Sequence, residues 1–195
     1  MAHHPLEIPT IIPAIRDPDE WTALPPPLSS PRWVFILGGT PDALAEATGL
    51  LHRQGWRVFV HVDMMRGITT DLEGLRFLTE FVDPDGIIST HSPAIIHAKR
   101  IGLVAIQRIF LLDSQSVDTG IQQAQSTRPD AVEVLPGILP RVTARVVREA
   151  HCPVIAGGLV TTIQEVEVMK RAGVRGLSTS AQSLWLDARS EGVKP

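Results

Sequence analysis

A chain of 195 residues, 44% hydrophobic and 20% charged, has the composition of a folded globular protein able to bury a substantial core in one domain. Its formal net charge of -3 excludes a generally basic protein that coats polyanions, so any nucleic-acid contact must come from a local patch. No apolar run approaches the roughly 20 residues needed to cross a bilayer, and Met1–Pro5 has neither the basic nor the apolar region of a signal peptide, so a cytoplasmic protein with no membrane attachment is expected.

Short apolar runs alternate with segments of helical period, the pattern of strands each followed by a crossover helix. The first strand is Ile11 to Ile15, running into Arg16. The crossover after it, Asp17 to Arg32, contains Pro18, Pro25, Pro26, Pro27 and Pro31, so a brief helical turn and then loop are expected. Trp33 to Leu37 is the second strand. Thr40-Pro41 then pairs a capping hydroxyl with a first-turn proline, Leu44, Ala47 and Leu51 line one helical face, and Gly55 ends the helix. In the third strand, Val58 to Val62, alternation puts Val58, Val60 and Val62 under the helices and sends Phe59, His61 and Asp63 into the centre.

Leu75, Leu78 and Val82 mark the next helical face, before a fourth strand at Gly86 to Ser89. Ser92-Pro93 opens a helix that Gly102 closes, and Val104 to Gln107 is the fifth strand, with Gln107 read as inward. In the sixth, Ala131 to Val134, the valines Val132 and Val134 face out and Glu133 faces in. Arg141, Arg145 and Arg148 recur at near-helical spacing, three cations along one face, for which a solvated helix surface is the plainer reading. The lone Cys152 has no internal disulfide partner; placed before Pro153 at the start of the seventh strand, Val154 to Ala156, it reads as a core thiol rather than a nucleophile. Thr162 and Glu165 form a capping box, Gly173 ends that helix, and Gly176 to Ser178 is the eighth strand.

Eight strand-helix units with no glycine-rich phosphate loop after the first strand favour a closed (β/α)8 barrel of the TIM type over an open doubly wound sheet. The chain is shorter than the roughly 250 residues usual for that fold, so the loops must be short. Residues 1–195 are then one domain, with 1–10 and 186–195 as tails.

His61, Asp63, Gln107 and Glu133 would sit near the C-terminal ends of different strands, where barrels build their sites. An unpaired ion buried there costs several kcal/mol. A polar ligand would supply partners; the alternative is an internal network among Arg16, Asp63, Arg108 and Glu133. The run Ala156-Gly157-Gly158-Leu159, and Ser178-Thr179-Ser180 before an apolar helix, fit a phosphate cradle of glycine backbone and hydroxyl donors. A metal site of His61, Asp63 and Glu133 is conceivable by ligand type but lacks compact spacing, and no cofactor is called for.

With these residues in view, the chain resembles the glycerol-3-phosphate-responsive antiterminators, regulators of bacterial glycerol-uptake operons. The resemblance runs from Ile12 to Trp185. It rests on Pro13-Ala14-Ile15-Arg16, His61-Val62-Asp63, Gly86-Ile87-Ile88-Ser89-Thr90, Ala105-Ile106-Gln107-Arg108 with Leu111-Leu112-Asp113, Glu133-Val134-Leu135-Pro136-Gly137, Pro153 to Leu159, and Ser178-Thr179-Ser180 with Leu184-Trp185. It implies a protein that binds glycerol-3-phosphate through Arg16, His61, Asp63, Gln107, Arg108, Glu133, Gly137, Gly157, Gly158, Ser178, Thr179 and Ser180. In that state it would act on a leader mRNA so that transcription passes a terminator. Two features depart from the family: His91 stands where a lysine or arginine is expected, and the first crossover is rich in proline. The rival reading is an enzyme on a phosphorylated sugar or polyol using Asp63 or Glu133 as base; no lysine lies in a strand, which excludes Schiff-base aldolase chemistry. The sequence leaves the oligomeric state, including a homo-oligomer, open.

Overall fold

A computed structural model describes residues 6–25 and 32–187. Residues 1–5 and 188–195 of the expected tails, and Pro26, Pro27 and Pro31 of the first crossover, lie outside the described residues. Eight parallel strands, β1 (Ile11–Ile15), β2 (Trp33–Ile36), β3 (Arg57–His61), β4 (Gly86–Ser89), β5 (Val104–Phe110), β6 (Ala131–Leu135), β7 (Val154–Gly157) and β8 (Gly176–Thr179), pair in sequence order. The barrel closes through β1 on β8, with Pro13 opposite Thr179. Around it lie α1 (Pro41–Arg53), α2 (Leu72–Phe81), α3 (Ser92–Arg100), α4 (Ser114–Thr127), α5 (Pro140–Glu149), α6 (Ile163–Arg171) and the short α7 (Gln182–Asp187). Among its described residues the first crossover holds a 3-10 helix and no longer one, Pro18–Ala23, whose N-cap Asp17 accepts from the Asp19 N–H, as its prolines dictate.

Two layers share the core. Ile12, Trp33, Phe35, Phe59, Ile106 and Ile155 fill the barrel interior. Val34, Val58, Val60, Val132 and Val134 face outward under Leu44, Leu51, Leu75 and Leu78 of the helices, as alternation requires. The rings of Trp33 and Phe59 lie 4.3 Å apart and those of Phe35 and Phe59 5.8 Å apart, edge to face. Because Trp33 begins β2, this aromatic plug closes the N-terminal end and leaves the opposite end for polar groups. A Cβ on Gly86 would stand 2.8 Å from the Phe59 ring, so only glycine fits beside the plug.

Several local expectations hold: Gly55, Gly102 and Gly173 adopt φ of +82°, +87° and +98° at helix ends, and Thr162 and Glu165 make both bonds of the capping box. Others are corrected. Ser92 is the first helical residue of α3, not its cap; His91 takes that position, its N–H donating to Ser89 Oγ at 3.0 Å. Thr40 caps α1 by position but without a side-chain hydrogen bond. β3 stops at His61 because Val62–Met64 turns into a 3-10 helix, whereas β5 extends to Phe110, held there by its pairing with Leu135. Cys152 is half-buried against the outer core, and burial pushes its thiol up to about 11, which leaves it protonated and unreactive at neutral pH. Among the described residues no helix is long and apolar enough to cross a membrane.

Candidate functional site

At the C-terminal mouth of the barrel, four strands bring a buried polar chain together. Glu133, 1% exposed on β6, is gripped through Oε2 by Arg108 of β5, whose Nε and Nη2 both lie 2.7 Å away. Its other oxygen accepts from Ser178 of β8 at 2.5 Å. Arg108 Nη1 also reaches Nδ1 of His61 on β3 at 3.5 Å. Asp63, in the turn after β3, accepts from Ser89 Oγ at 2.5 Å and from the N–H and hydroxyl of Thr90 at 2.7 Å each. Each carboxylate therefore keeps about one of its roughly four acceptor positions for something else.

His61 is the exception to this satisfaction. With Nδ1 facing the Arg108 donor, its proton belongs on Nε2, and that nitrogen is buried without a hydrogen-bond partner among the described residues. Asp63 Oδ2 stands 3.7 Å off, too far for a direct bond but close enough for one hydroxyl to touch both. Burial first, then the Arg108 charge, holds the His61 pKa down to about 4, while Asp63 pulls partly the other way. Burial pushes the Asp63 carboxyl upward, but hydrogen bonds from Ser89 and Thr90, together with His61, outweigh it and leave it below the usual aspartate value. The imidazole is thus neutral and the aspartate ionised at pH 7.

The glycines have a steric explanation. A Cβ on Gly157 would stand 2.6 Å from Glu133 Oε1 and collide with Ser178 Oγ, so the bond between β6 and β8 exists only because β7 carries nothing there. Gly137 lies against the Gly157 backbone, where a Cβ would meet Gly157 N at 2.7 Å, and its own N–H donates to Gly158 O at 3.0 Å. Gly158 and Leu159 both adopt positive φ, +75° and +62°. For leucine this conformation is strained, and it curls the loop after β7 around the mouth. Gly157→Ala should therefore displace Ser178 or Glu133 and lower stability by about 1–3 kcal/mol, the penalty of an unsatisfied buried polar group. Thermal melts test this, and a variant as stable as the parent would show that the bond yields without loss.

Not every expected residue joins the site. Gln107 is corrected outright: it faces outward, donating to Gln123 at 3.3 Å and accepting from Thr127 at 2.6 Å, both on α4. Since Arg108 points inward, its strand neighbour cannot. Arg16 is exposed at the rim and takes no part in the buried chain, which instead recruits His61 and Ser178. The Thr179 hydroxyl is spent within the protein, donating to Val160 O at 2.6 Å and accepting from the Ala181 N–H at 3.0 Å, while Ser180 is exposed. Ser89 and Thr90, the partners of Asp63, are not among the expected site residues, although they end the motif Gly86-Ile87-Ile88-Ser89-Thr90 and place a pair of hydroxyls at a strand end. Glu133 turns to Arg108 and Ser178, and among the described residues no group of three His, Cys, Asp or Glu side chains is placed to hold a metal ion. Arg141, Arg145 and Arg148 do share α5, but Arg145 is neutralised by Asp118 at 2.7 Å and Glu149 at 3.0 Å.

A family model described as glycerol-3-phosphate responsive antiterminator matches residues 11–185. The crystal structure of a glycerol uptake operon antiterminator regulatory protein from Listeria monocytogenes is similar with a TM-score of 0.83 and 33% identity, covering 93% of this chain and 99% of that one. An antiterminator-related protein from Thermotoga maritima gives 0.79 and 34%, over 91% and 98%. An uncharacterized Escherichia coli (strain K12) protein, YgcP, is 31% identical over 158 residues, 81% of this chain and 83% of its own length.

Proposed function

Because the chain belongs to the glycerol-3-phosphate responsive antiterminator family, we propose that it binds glycerol-3-phosphate at the barrel mouth and, so loaded, engages the leader mRNA of a glycerol-metabolism operon in the cytoplasm to carry transcription past a terminator. The observation that carries the ligand half is the buried, unpartnered His61 Nε2 facing Asp63. A polyol hydroxyl between them gives Nε2 an acceptor and takes the free acceptor position of Asp63, and the one left on Glu133 suits a second hydroxyl. The phosphate falls to the curled Gly157-Gly158 loop, with Gly137 beneath it and Ser178, Thr179 and Ser180 beside it, a backbone able to approach an anion closely. Arg16, at the end of β1 and so beside β8, supplies positive charge at the rim.

The enzyme alternative has weaker support. A general base works best with a pKa near the operating pH, yet Asp63 is held below its ordinary value and Glu133 is occupied by Arg108 and Ser178.

The reading is tested by titrating the leader RNA of a glycerol-metabolism transcript at two salt concentrations, with and without glycerol-3-phosphate, and analysing the recovered ligand. Ligand should tighten RNA binding about 5- to 150-fold, the range of a coupling of roughly 1–3 kcal/mol, and RNA should tighten ligand binding by the same factor. In a parallel melt, ligand at 100 times its Kd should stabilise by about 2.7 kcal/mol, with glycerol or inorganic phosphate far less effective. Turnover of the ligand at a catalytic rate, or RNA binding indifferent to it, would reject the regulator.

A further inference from the structure

In a barrel of this kind every helix ends at the N-terminal end of the strands, the face opposite the ligand mouth. There the chain gathers its positive charge. Arg100 is the last residue of α3, Arg128 follows α4, Arg148 lies in the last turn of α5, Arg171 ends α6, and Arg175 immediately precedes β8. All five are exposed and have no ion-pair partner among the described residues. The two carboxylates in the same turns are engaged: Asp130 with Lys99 at 3.5 Å and with the Ala105 N–H at 2.9 Å, Glu149 with Arg145. At the opposite end the helices begin among Asp42, Asp71, Glu73, Asp113 and Glu165. A chain of net charge -3 is thus strongly polarised along the barrel axis.

We propose that the RNA lies on this N-terminal face, its phosphates running along the arc of arginines where α3, α4, α5 and α6 end. The proposal rests on the reading that the partner is RNA, and adds where it binds. Neighbouring helices pack about 8–10 Å apart, so four of them present an arc about 30 Å long, comparable to one turn of a nucleic-acid duplex. Complementing helix dipoles explains a cation at Arg100, Arg148 or Arg171. It accounts for a cation at Arg128 too, but not for a side chain in a left-handed conformation at φ 49° that glycine adopts without strain, nor for Arg175, four residues beyond the end of α6. A membrane is the poorer match. The arc is built from arginine, the residue suited to bidentate phosphate contact, and among the described residues Val168 is the single exposed large hydrophobic on these turns. Strands of four to seven residues, at about 3.3 Å per residue, separate this face from the mouth, so the ligand would act across the barrel and would not compete with RNA.

The test compares the wild-type chain, the fivefold variant R100Q/R128Q/R148Q/R171Q/R175Q and Arg141→Gln, an exposed arginine near the mouth. Each is titrated with a fluorescein-labelled terminator hairpin RNA and with phosphatidylserine vesicles. Each counterion released contributes about 0.7–0.9 to the slope of log affinity against log salt, so the fivefold variant should lose about 3.5–4.5 from that slope and roughly 100-fold or more in affinity at moderate salt. R141Q should bind RNA as the wild type does, and the fivefold variant should keep its thermal shift with glycerol-3-phosphate, which shows it folded. Undiminished RNA binding by the fivefold variant, or an equal loss in R141Q, overturns the surface while leaving the RNA reading intact. Wild-type protein that binds vesicles or nothing, and no RNA in either ligand state, overturns both.

Discussion

Arg108→Met should destabilise the protein by about 3–5 kcal/mol, because it leaves the Glu133 carboxylate, 1% exposed, with no compensating charge in the barrel interior. Methionine keeps most of the side-chain volume, so the loss isolates electrostatics from packing. In a chain of this size that corresponds to a fall in Tm of roughly 6–20 °C. The converse follows from the same physics: since burying the pair already costs much of what the pair returns, R108M/E133L should recover most of the stability while losing the response to glycerol-3-phosphate. Denaturant melts of the two single variants and the double variant measure this cycle. A single variant within 1 kcal/mol of wild type would mean that water reaches Glu133 and the pair is only a surface bridge.

Acidification should weaken the fold well before the carboxylates titrate. His61 has its folded-state pKa lowered from 6.5 to about 4, so below pH 6.5 the unfolded chain takes up a proton that the folded one refuses. Stability conferred by the neutral buried ring is present in full above pH 6.5, falls as pH drops, and is lost once pH passes the folded value near 4; the difference is on the order of 3 kcal/mol. Asp63, also depressed in the fold, works in the same direction at lower pH, losing its contribution as it protonates. Melts from pH 7 to 4 should show this slope in the wild type and a flatter one in His61→Gln. A wild-type profile level between pH 6.5 and 4 would show that the ring is protonated in the fold and bonded to Asp63.

Much of this architecture could be read along the chain, for reasons that are local. Val58, Val60 and Val62 alternate with Phe59 and His61, and a backbone that turns successive side chains to opposite faces leaves only the choice of which face is inside. Capping at Thr162 and the left-handed glycines at 55, 102 and 173 are equally local, since they depend on hydrogen bonds within a few residues. Glu133 and His61 were legible because a polar residue between strand hydrophobics must face either a core or a site.

The same logic misassigns Gln107 when β5 is read only as far as that residue. Once β5 continues through Arg108 to Phe110, only one of the two neighbours can face inward, and partners on α4, 16 and 20 residues away, take up the Gln107 amide.

By itself, then, the sequence determined the order of strands and helices, their faces, and the polar residues facing the barrel mouth, because backbone geometry and burial act between near neighbours. Closure of the barrel decided the rest. It set β4 beside β3, so that Ser89 and Thr90 clamp Asp63, and brought β6 within reach of β8, so that Ser178 bonds Glu133 across the bare Gly157. It also stacked four helix ends, dozens of residues apart in the chain, into one basic face. Those contacts depend on separations of 26 and 45 residues, and no local preference of the chain encodes a distance between groups that meet only when the sheet closes.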